Sequence, residues 1–187
     1  MTIQSVIPSI EAFKLRKSVL KLLAIFVFCM VSFTTSTFAQ KERYQSLFIF
    51  NFTKYIKWPE SYNSDKFVIG VIGNSTVYDA LADMAPTKKA PSGQSIEVKK
   101  YNSPEEIGEC HILFVSQNVA GEMETIDSIT SSKPVLIITE SPGLATLGSI
   151  INFVEKDDKI KFELNESKAQ SRGLAVSRAL ADLAIII

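Results

Sequence analysis

The spacing of large apolar residues predicts a helix near the start of residues 40–187. Over residues 44–58 they recur every three or four positions, which is the period of a helix with one buried face, and Pro59 ends the pattern. Such a stripe is typical of a surface that packs on a core, and its aromatic members are also candidate contacts for a partner or ligand. These members are Phe48, Phe52, Tyr55 and Trp58.

Four short runs rich in apolar residues follow, and helical patterns separate most of them. Strands that alternate with helices predict βαβ units with right-handed crossovers, and therefore a largely parallel sheet. The last two runs are almost entirely apolar, as expected of interior strands that are covered on both faces. The predicted strands are residues 67–72, 94–101, 111–116 and 134–139, and the main intervening helices are residues 76–84 and 119–131.

The pattern changes in the last quarter of the chain. Two strands, residues 149–155 and 159–164, are joined by a polar turn, and the second alternates apolar and charged residues as a half-exposed edge strand does. Asn165 then caps a long final helix. The buried stripe of this helix is predicted to contain Ala169, Gly173, Val176, Leu180, Leu183 and Ile187.

These elements predict one α/β domain over residues 40–187. We expect a three-layer sandwich whose mostly parallel sheet has about six strands. An antiparallel hairpin and a C-terminal helix close the sheet.

Residues 1–39 have the organisation of a secretory signal peptide. Basic residues precede an apolar run of about a dozen residues at 22–33, and a stretch of small and polar residues follows it. Within that stretch Thr37 and Ala39 occupy the −3 and −1 positions of a signal-peptidase site, so we expect cleavage after Ala39. The apolar run is shorter than the about 20 residues of a membrane-spanning helix. The protein is therefore predicted to work outside the cytoplasm.

Cleavage would change the charge and the cysteine content of the chain. It removes four of the 20 basic residues and one of the 20 acidic residues, which leaves a net charge near −3. Such a chain lacks the basic stripe that neutralises nucleic-acid phosphates, so we predict no nucleic-acid partner. Cys110 remains as the only cysteine. A buried, inert thiol and an intermolecular disulfide are both compatible with it.

No pattern in the sequence predicts an active site. His111 is the only histidine, and it lies beside Cys110. Because neighbouring side chains of a strand point to opposite faces, these two do not form a nucleophile–base pair. Metal sites usually draw on several His or Cys ligands at fixed spacing, which this sequence lacks. We therefore expect no enzymatic activity, no metal and no cofactor.

Two turns at the ends of predicted strands are candidates for ligand contacts. Residues 73–76 offer backbone N–H groups at a helix start, which can hold an anion. Glu140 and Gly143 follow a central strand, at the end of the sheet where open α/β proteins bind ligands. Both segments are also compatible with ordinary connecting turns. Arg172, in the final helix, is either solvated or paired with Glu163 or a ligand's carboxylate, so these two residues are further candidate contacts.

Several segments resemble members of the YfiR/HmsC family of periplasmic proteins. The most specific are residues 48–59, which read FIFNFTKYIKWP, and residues 160–165, which read IKFELN. The similarity covers essentially all of the predicted mature chain. The other similar segments are residues 67–73, 110–116, 134–140, 148–153 and 169–184.

The resemblance implies a periplasmic repressor. Members of this family bind the periplasmic sensor domain of an inner-membrane signalling enzyme, typically a YfiN-type diguanylate cyclase, and hold it inactive. Release of the repressor then raises cyclic di-GMP and favours biofilm formation. The alternative is a periplasmic sensor of small ligands that acts on a membrane histidine kinase or another receptor. In addition to the membrane partner, two further partners remain possible: a small-molecule ligand and a second copy of the chain in a homodimer.

The sequence departs from better-known members of the family in its cysteines. Those members carry paired cysteines, whereas Cys110 stands alone in the predicted mature chain. We therefore expect no redox switch based on an intramolecular disulfide.

Overall fold

The structure, a computed structural model, describes Lys21 and residues 36–63, 65–157 and 159–187. Residues 41–187 form one compact unit. The helices are α1 (Ser36–Tyr55), α2 (Val77–Met84), α3 (Met123–Thr130), α4 (Glu166–Ser171) and α5 (Arg178–Ala181). The strands are β1 (Ile56–Lys57), β2 (Phe67–Ile72), β3 (Ile96–Tyr101), β4 (Ile112–Val115), β5 (Leu136–Thr139), β6 (Ile151–Lys156), β7 (Lys159–Leu164), β8 (Ala175–Val176) and β9 (Ile185–Ile186).

Seven of the described strands form one sheet in the order β3-β2-β4-β5-β6-β7-β9, while β1 and β8 form a separate antiparallel pair. The strands from β3 to β6 run parallel, β6 and β7 form an antiparallel hairpin, and β9 lies parallel to β7. Every residue of β4 and β5 is buried, because these nearly all-apolar strands are covered on both faces. The predicted α/β sandwich with a mostly parallel sheet and a closing hairpin is confirmed.

The helices cover the two faces of the sheet as separate layers. On one face, Phe52 of α1 and Leu81 of α2 pack in a core cluster with strand residues such as Phe114. On the other face, Met123 and Ile126 of α3 pack in a second cluster. The chain runs from β2 outwards to β3, then returns past β2 to β4 and continues in the opposite direction to β5. β2 and β4 therefore flank the point at which the strand order reverses.

The C-terminal segment differs from the single long helix predicted for it. The chain turns after α4 at Gly173 (φ +74°), β8 pairs with β1, and Ser177 starts α5 by accepting a hydrogen bond from the backbone N–H of Leu180. Ala169 and Leu180 are buried as predicted, but Leu183 is 72% exposed. The apolar spacing fits a helix, yet pairing with β1 and β7 satisfies backbone groups of this segment instead. The prediction of one continuous helix is therefore wrong.

Two predicted boundaries are also corrected. Helix α1 ends at Tyr55 rather than at residue 58, because the next two residues form β1 and pair with β8. The second hairpin strand, β7, is not the edge of the sheet, since β9 pairs with Glu163 and Leu164 along its outer side. Both changes come from contacts with the C-terminal segment, which local patterns do not reveal.

The predicted signal peptide, residues 1–39, lies almost wholly outside the described residues. Its cleavage and the domain boundary at residue 40 therefore stay predictions. None of the helices in the described part of the chain is both long and apolar enough to cross a membrane.

Candidate functional site

Three of the predicted contact residues come together in a groove beside the β6–β7 hairpin. We call it the hairpin groove, and its volume is about 410 Å³. It is lined by Lys41, Glu140, Pro142, Gly143, Phe153, Val154, Glu155, Ile160 and Glu163. Among the described residues, three carboxylates and one ammonium group thus share the groove with an apolar wall.

Glu140 follows β5 and is held in place by helix α1. The side-chain amide of Gln45 donates a hydrogen bond of 2.9 Å to Oε2 of Glu140, and the ammonium of Lys41 lies 3.6 Å from the same oxygen. Gln45 is fully buried, so its amide has little freedom, whereas the contact with the more exposed Lys41 is weaker. The amide therefore sets the position of a carboxylate that lies 95 residues away along the chain.

Glu163 is held by a chain of buried polar side chains. Its partner across the hairpin, Asn152, donates a hydrogen bond of 2.9 Å from Nδ2 to Oε2 of Glu163. Behind it, the hydroxyl oxygen of Thr139 lies 2.7 Å from Oδ1 of Asn152 and 2.9 Å from the hydroxyl oxygen of Ser149. All three supporting side chains are completely buried. Neutral groups thus orient the carboxylate, and no basic side chain among the described residues pairs with it.

Arg172 belongs to a different part of the molecule. It is buried and donates a hydrogen bond of 2.6 Å to the backbone oxygen of Thr130. It also pairs with the carboxylate of Asp127, which accepts a second hydrogen bond, of 2.8 Å, from Lys168. In this structure Arg172 is neither solvated nor paired with Glu163. It links α4 to α3.

The aromatic residues of the predicted stripe divide into buried and accessible members. Phe48 and Phe52 pack against phenylalanine rings of the hairpin, and Phe52 is only 1% exposed. Trp58 is half-buried and donates a hydrogen bond of 3.2 Å from its indole N–H to the backbone oxygen of His111. Tyr55, at 38% exposed, is the member most accessible to a partner.

Two exposed apolar residues of α1 are absent from the predicted contacts. Tyr44 is 48% exposed and Leu47 is 41% exposed. Because residues three apart are neighbours on a helix surface, Tyr44 lies beside Lys41 of the hairpin groove. The sequence signal for both is weak, since they lie at the margin of the apolar stripe and only the rotation of α1 decides which margin is exposed.

A second pocket lies at the carboxyl ends of β2 and β4, where the strand order reverses. We call it the switch pocket, and its volume is about 490 Å³. It is lined by Glu42, Asn74, Ser75, Thr76, Gln117, Asn118 and Glu140. The two turns that the sequence singled out separately, residues 73–76 and the turn of Glu140, therefore meet at one site. Glu140 lines both the switch pocket and the hairpin groove.

The two loops that follow β2 and β4 are bonded to each other. Oδ1 of Asn118 accepts a hydrogen bond of 3.0 Å from the backbone N–H of Asn74 and lies 2.6 Å from the hydroxyl oxygen of Ser116. Gly73 permits this approach, because its φ is +90° and a Cβ there would overlap the Ser116 hydroxyl. The framework of the switch pocket is thus built into the fold.

His111 and Cys110 lie at the opposite, amino end of the parallel strands. Nδ1 of His111 accepts a hydrogen bond of 3.1 Å from the backbone N–H of Val68, so Nε2 carries the proton and donates to the backbone oxygen of Tyr62 at 2.9 Å. Burial lowers the pKa of His111 below 6.5 and raises the pKa of the Cys110 thiol to about 12. The thiol is buried and unpaired. Both side chains are thereby engaged in the core.

In the part of the chain that the structure describes, no three His, Cys, Asp or Glu side chains lie close enough together to hold a metal ion. The polar sites to be explained are therefore the hairpin groove and the switch pocket.

Comparison with known proteins assigns the chain to a family. The structure is partly similar to an ABC domain in complex with L-Trp from Streptococcus pneumonia, with 14% sequence identity and a TM-score of 0.47 over 65% of this chain. This chain spans 55% of the length of that protein, and so distant a likeness says nothing about function. No curated protein matches significantly. The model of a YfiR/HmsC-like family matches residues 42–185, in agreement with the resemblance of the segments above, and the chain therefore belongs to the YfiR/HmsC-like family.

Proposed function

We propose that this chain is a periplasmic regulatory protein that binds the periplasmic sensor domain of an inner-membrane signalling enzyme and holds that enzyme inactive. The family match over residues 42–185 carries the proposal. The enzyme in this proposal is a YfiN-type diguanylate cyclase. Release of the repressor then raises cyclic di-GMP and favours biofilm formation.

The hairpin groove supports contact with a basic segment of the partner. Among the described residues of its lining, Glu140, Glu155 and Glu163 outnumber the single cation, Lys41, so the groove is acidic. Its apolar wall, which includes Phe153, offers area to bury. A partner segment with Lys or Arg between apolar residues complements both features. Glu163 is anchored by the neutral Asn152, and Glu140 is only weakly compensated by the partly exposed Lys41, so both carboxylates stay available to that segment.

Exposed apolar residues on α1 extend the contact surface. Tyr44, Leu47 and Tyr55 are each more than a third exposed. Tyrosines are enriched at protein interfaces because they combine a large apolar ring with a polar tip. This face of α1 therefore supports the same docking role as the groove.

Repression by such a contact is a matter of linkage between binding and conformation. The regulator shifts the enzyme towards its inactive state only by the difference between its affinities for the two states. A shift from mostly active to mostly inactive, from about 99:1 to about 1:99, requires about 10⁴-fold tighter binding to the inactive state. A single groove-sized contact is small for this task, so we expect the face of α1 and the groove to act together.

We further propose that the protein acts by binding and not by catalysis. His111 uses both ring nitrogens to hold backbone groups, and Cys110 is buried with a raised pKa that keeps its thiol protonated. Histidine and cysteine are the residue types most suited to acid–base and nucleophilic catalysis, and here both support a structural role instead. Incubating the protein with general esterase and phosphatase substrates tests the idea, and turnover that follows the purified protein would contradict it.

A pull-down with an activity assay tests the repressor role. The full chain, exported and tagged at its C terminus, serves as bait for detergent-solubilised membranes, and mass spectrometry identifies the retained proteins. The captured enzyme is then assayed for conversion of GTP to cyclic di-GMP with and without added bait. We expect a membrane protein with a periplasmic sensor domain and a cyclase domain, and less cyclic di-GMP when bait is present. Capture of a histidine kinase would support the alternative receptor, and no capture even after crosslinking would contradict both.

A pair of charge reversals tests the hairpin groove. Glu155 is exposed and lines the groove, so Glu155→Lys should weaken partner binding about tenfold or more. Asp83→Lys makes the same change of net charge on an exposed residue of α2 outside the groove, and should leave binding nearly unchanged. Equal losses in the two variants would mean that net charge, and not the groove, governs binding.

A further inference from the structure

The switch pocket occupies the position at which open parallel sheets bind ligands. The connections from β2 and from β4 lead in opposite directions, so the loops after these strands separate and open a crevice at their carboxyl ends. Residues 74–76 line one side, Gln117 and Asn118 line another, and Glu140 follows β5. The volume of about 490 Å³ lies within the range of about 300–1,000 Å³ that is typical of small-molecule pockets.

The pocket is organised before any ligand arrives. Asn118 uses its side-chain oxygen to hold the backbone of Asn74, which leaves its NH₂ group as a donor at the pocket wall. Ser75 accepts a hydrogen bond of 3.2 Å from the backbone N–H of Val77, so its hydroxyl hydrogen stays available as a donor. Preformed donors of this kind reduce the entropy that is lost when a ligand binds.

The lining combines two carboxylates with neutral hydrogen-bonding groups. The carboxylates of Glu42 and Glu140 repel an anion. For a cation, the attraction of these carboxylates is reduced by Lys41, which lies 3.6 Å from Glu140, and by the positive partial charge at the start of α2, which follows Thr76. The remaining groups are neutral amides and hydroxyls. A ligand hydroxyl both donates and accepts hydrogen bonds, so neighbouring hydroxyls satisfy the carboxylates and the amides without introducing a charge.

We propose that the switch pocket binds a neutral saccharide. Ligand hydroxyls donate to the carboxylates of Glu42 and Glu140 and accept from the amide groups of Gln117 and Asn118. The lining contains no aromatic ring on which a sugar could stack, so hydrogen bonds supply the affinity and dissociation constants lie in the millimolar range. This inference goes beyond the proposed repressor role and is tested without a membrane partner, so either proposal can fail alone.

Saturation-transfer NMR with the full chain tests the inference directly. The first three probes share one ring and differ in charge: D-glucose is neutral, D-glucosamine carries an ammonium group and D-glucuronate carries a carboxylate. D-galactose, D-mannose and trehalose extend the neutral set. We expect saturation transfer to at least one neutral sugar and weaker transfer to the two charged ones. Transfer to a charged probe alone, or to none of the six sugars, would overturn the proposal.

Two matched pairs of variants locate the bound sugar. Gln117→Ala removes a side chain of the pocket wall and should weaken sugar binding roughly two- to tenfold. Gln170→Ala removes the same exposed side chain from α4 and should leave binding unchanged. Thr76→Val and Thr125→Val form the second pair, with the same expected contrast. Equal affinity in all four variants would place the sugar outside the switch pocket and overturn the assignment.

Discussion

The two ends of the parallel strands use polar side chains in opposite ways. At the amino end, His111 is buried, and both of its ring nitrogens are bonded to backbone groups of Val68 and Tyr62. At the carboxyl end, Glu140 and Glu163 are oriented by buried amides, yet they line open grooves. The contrast shows that fully bonded polar groups join loops to the core, whereas a positioned and only weakly compensated charge is available for recognition.

Size alone does not distinguish the two ends. A hollow at the amino end, with a lining that includes Tyr62, Lys66, Glu97 and His111, has a volume of about 630 Å³ and is larger than the hairpin groove and the switch pocket. There, however, Lys66 and Glu97 pair at 3.2 Å, and His111 is already engaged on both sides. Ligands of open parallel sheets bind at the carboxyl ends of the strands, where the helix starts and the separated loops lie. The bonding of the polar groups and the strand topology therefore favour the switch pocket and the hairpin groove as binding sites.

The largest effect on stability is expected from Gly73→Ala, which changes a backbone turn at the carboxyl end of the parallel strands. A side chain at φ +90° costs about 1–2 kcal/mol, and the new methyl group would also push the hydroxyl of Ser116 from its partners. We expect the free energy of unfolding, measured by urea denaturation, to fall by about 3 kcal/mol. Gly143→Ala shares the positive φ but meets open space, so about 1–2 kcal/mol is expected. Equal losses would contradict the steric part of the argument.

The next effect is expected from His111→Ala at the amino end. The variant loses two hydrogen bonds and a ring that stacks on Phe67 with 4.3 Å between the ring centroids. It also leaves the backbone N–H of Val68 without the acceptor that it has in the structure. We expect the free energy of unfolding to fall by about 2–3 kcal/mol. Capture of the membrane partner, measured per folded molecule, should not change. Loss of capture at full folding would mean that the amino end also takes part in recognition.

Acidification should weaken the amino end through the same residue. Burial lowers the pKa of His111 in the folded protein below the value of about 6.5 in the unfolded chain. The contribution of the neutral imidazole is therefore fully present above about pH 6.5 and is lost as the pH falls through the folded-state pKa, because the unfolded chain binds the proton first. Urea denaturation between about pH 7.5 and pH 5.5 measures this slope. His111→Gln should be less stable but should show a flatter profile, and an unchanged slope would assign the effect to other groups.

The smallest effect on stability is expected from Glu163→Gln at the carboxyl end. The glutamine oxygen can still accept the hydrogen bond from Asn152, so the free energy of unfolding should change by less than about 1 kcal/mol. Partner capture should nevertheless weaken, because the groove loses one of its charges. A loss of stability as large as that of His111→Ala would remove the distinction between the two ends.

Part of the candidate site was predictable because it depends on local patterns. Glu140 and Gly143 directly follow an apolar run that only an interior strand explains, so their place at the carboxyl end of the sheet could be inferred. The partner of Arg172 could not be inferred. Its carboxylate, on Asp127, lies 45 residues away in the chain, and only the packing of α4 on α3 brings the two groups together.

The strands of the parallel sheet, the hairpin and the family of the protein could be read from the amino-acid sequence, because hydrophobic periodicity and short similar segments are local properties. Packing of the folded chain was needed to show that residues 175–176 form a strand instead of a turn of helix, and that the turn at 73–76 meets Glu140 in one pocket. The spacing of apolar residues indicates which face of an element is buried, but it does not indicate which distant element buries that face. That choice is made when the backbone groups and charges of the whole chain are satisfied together.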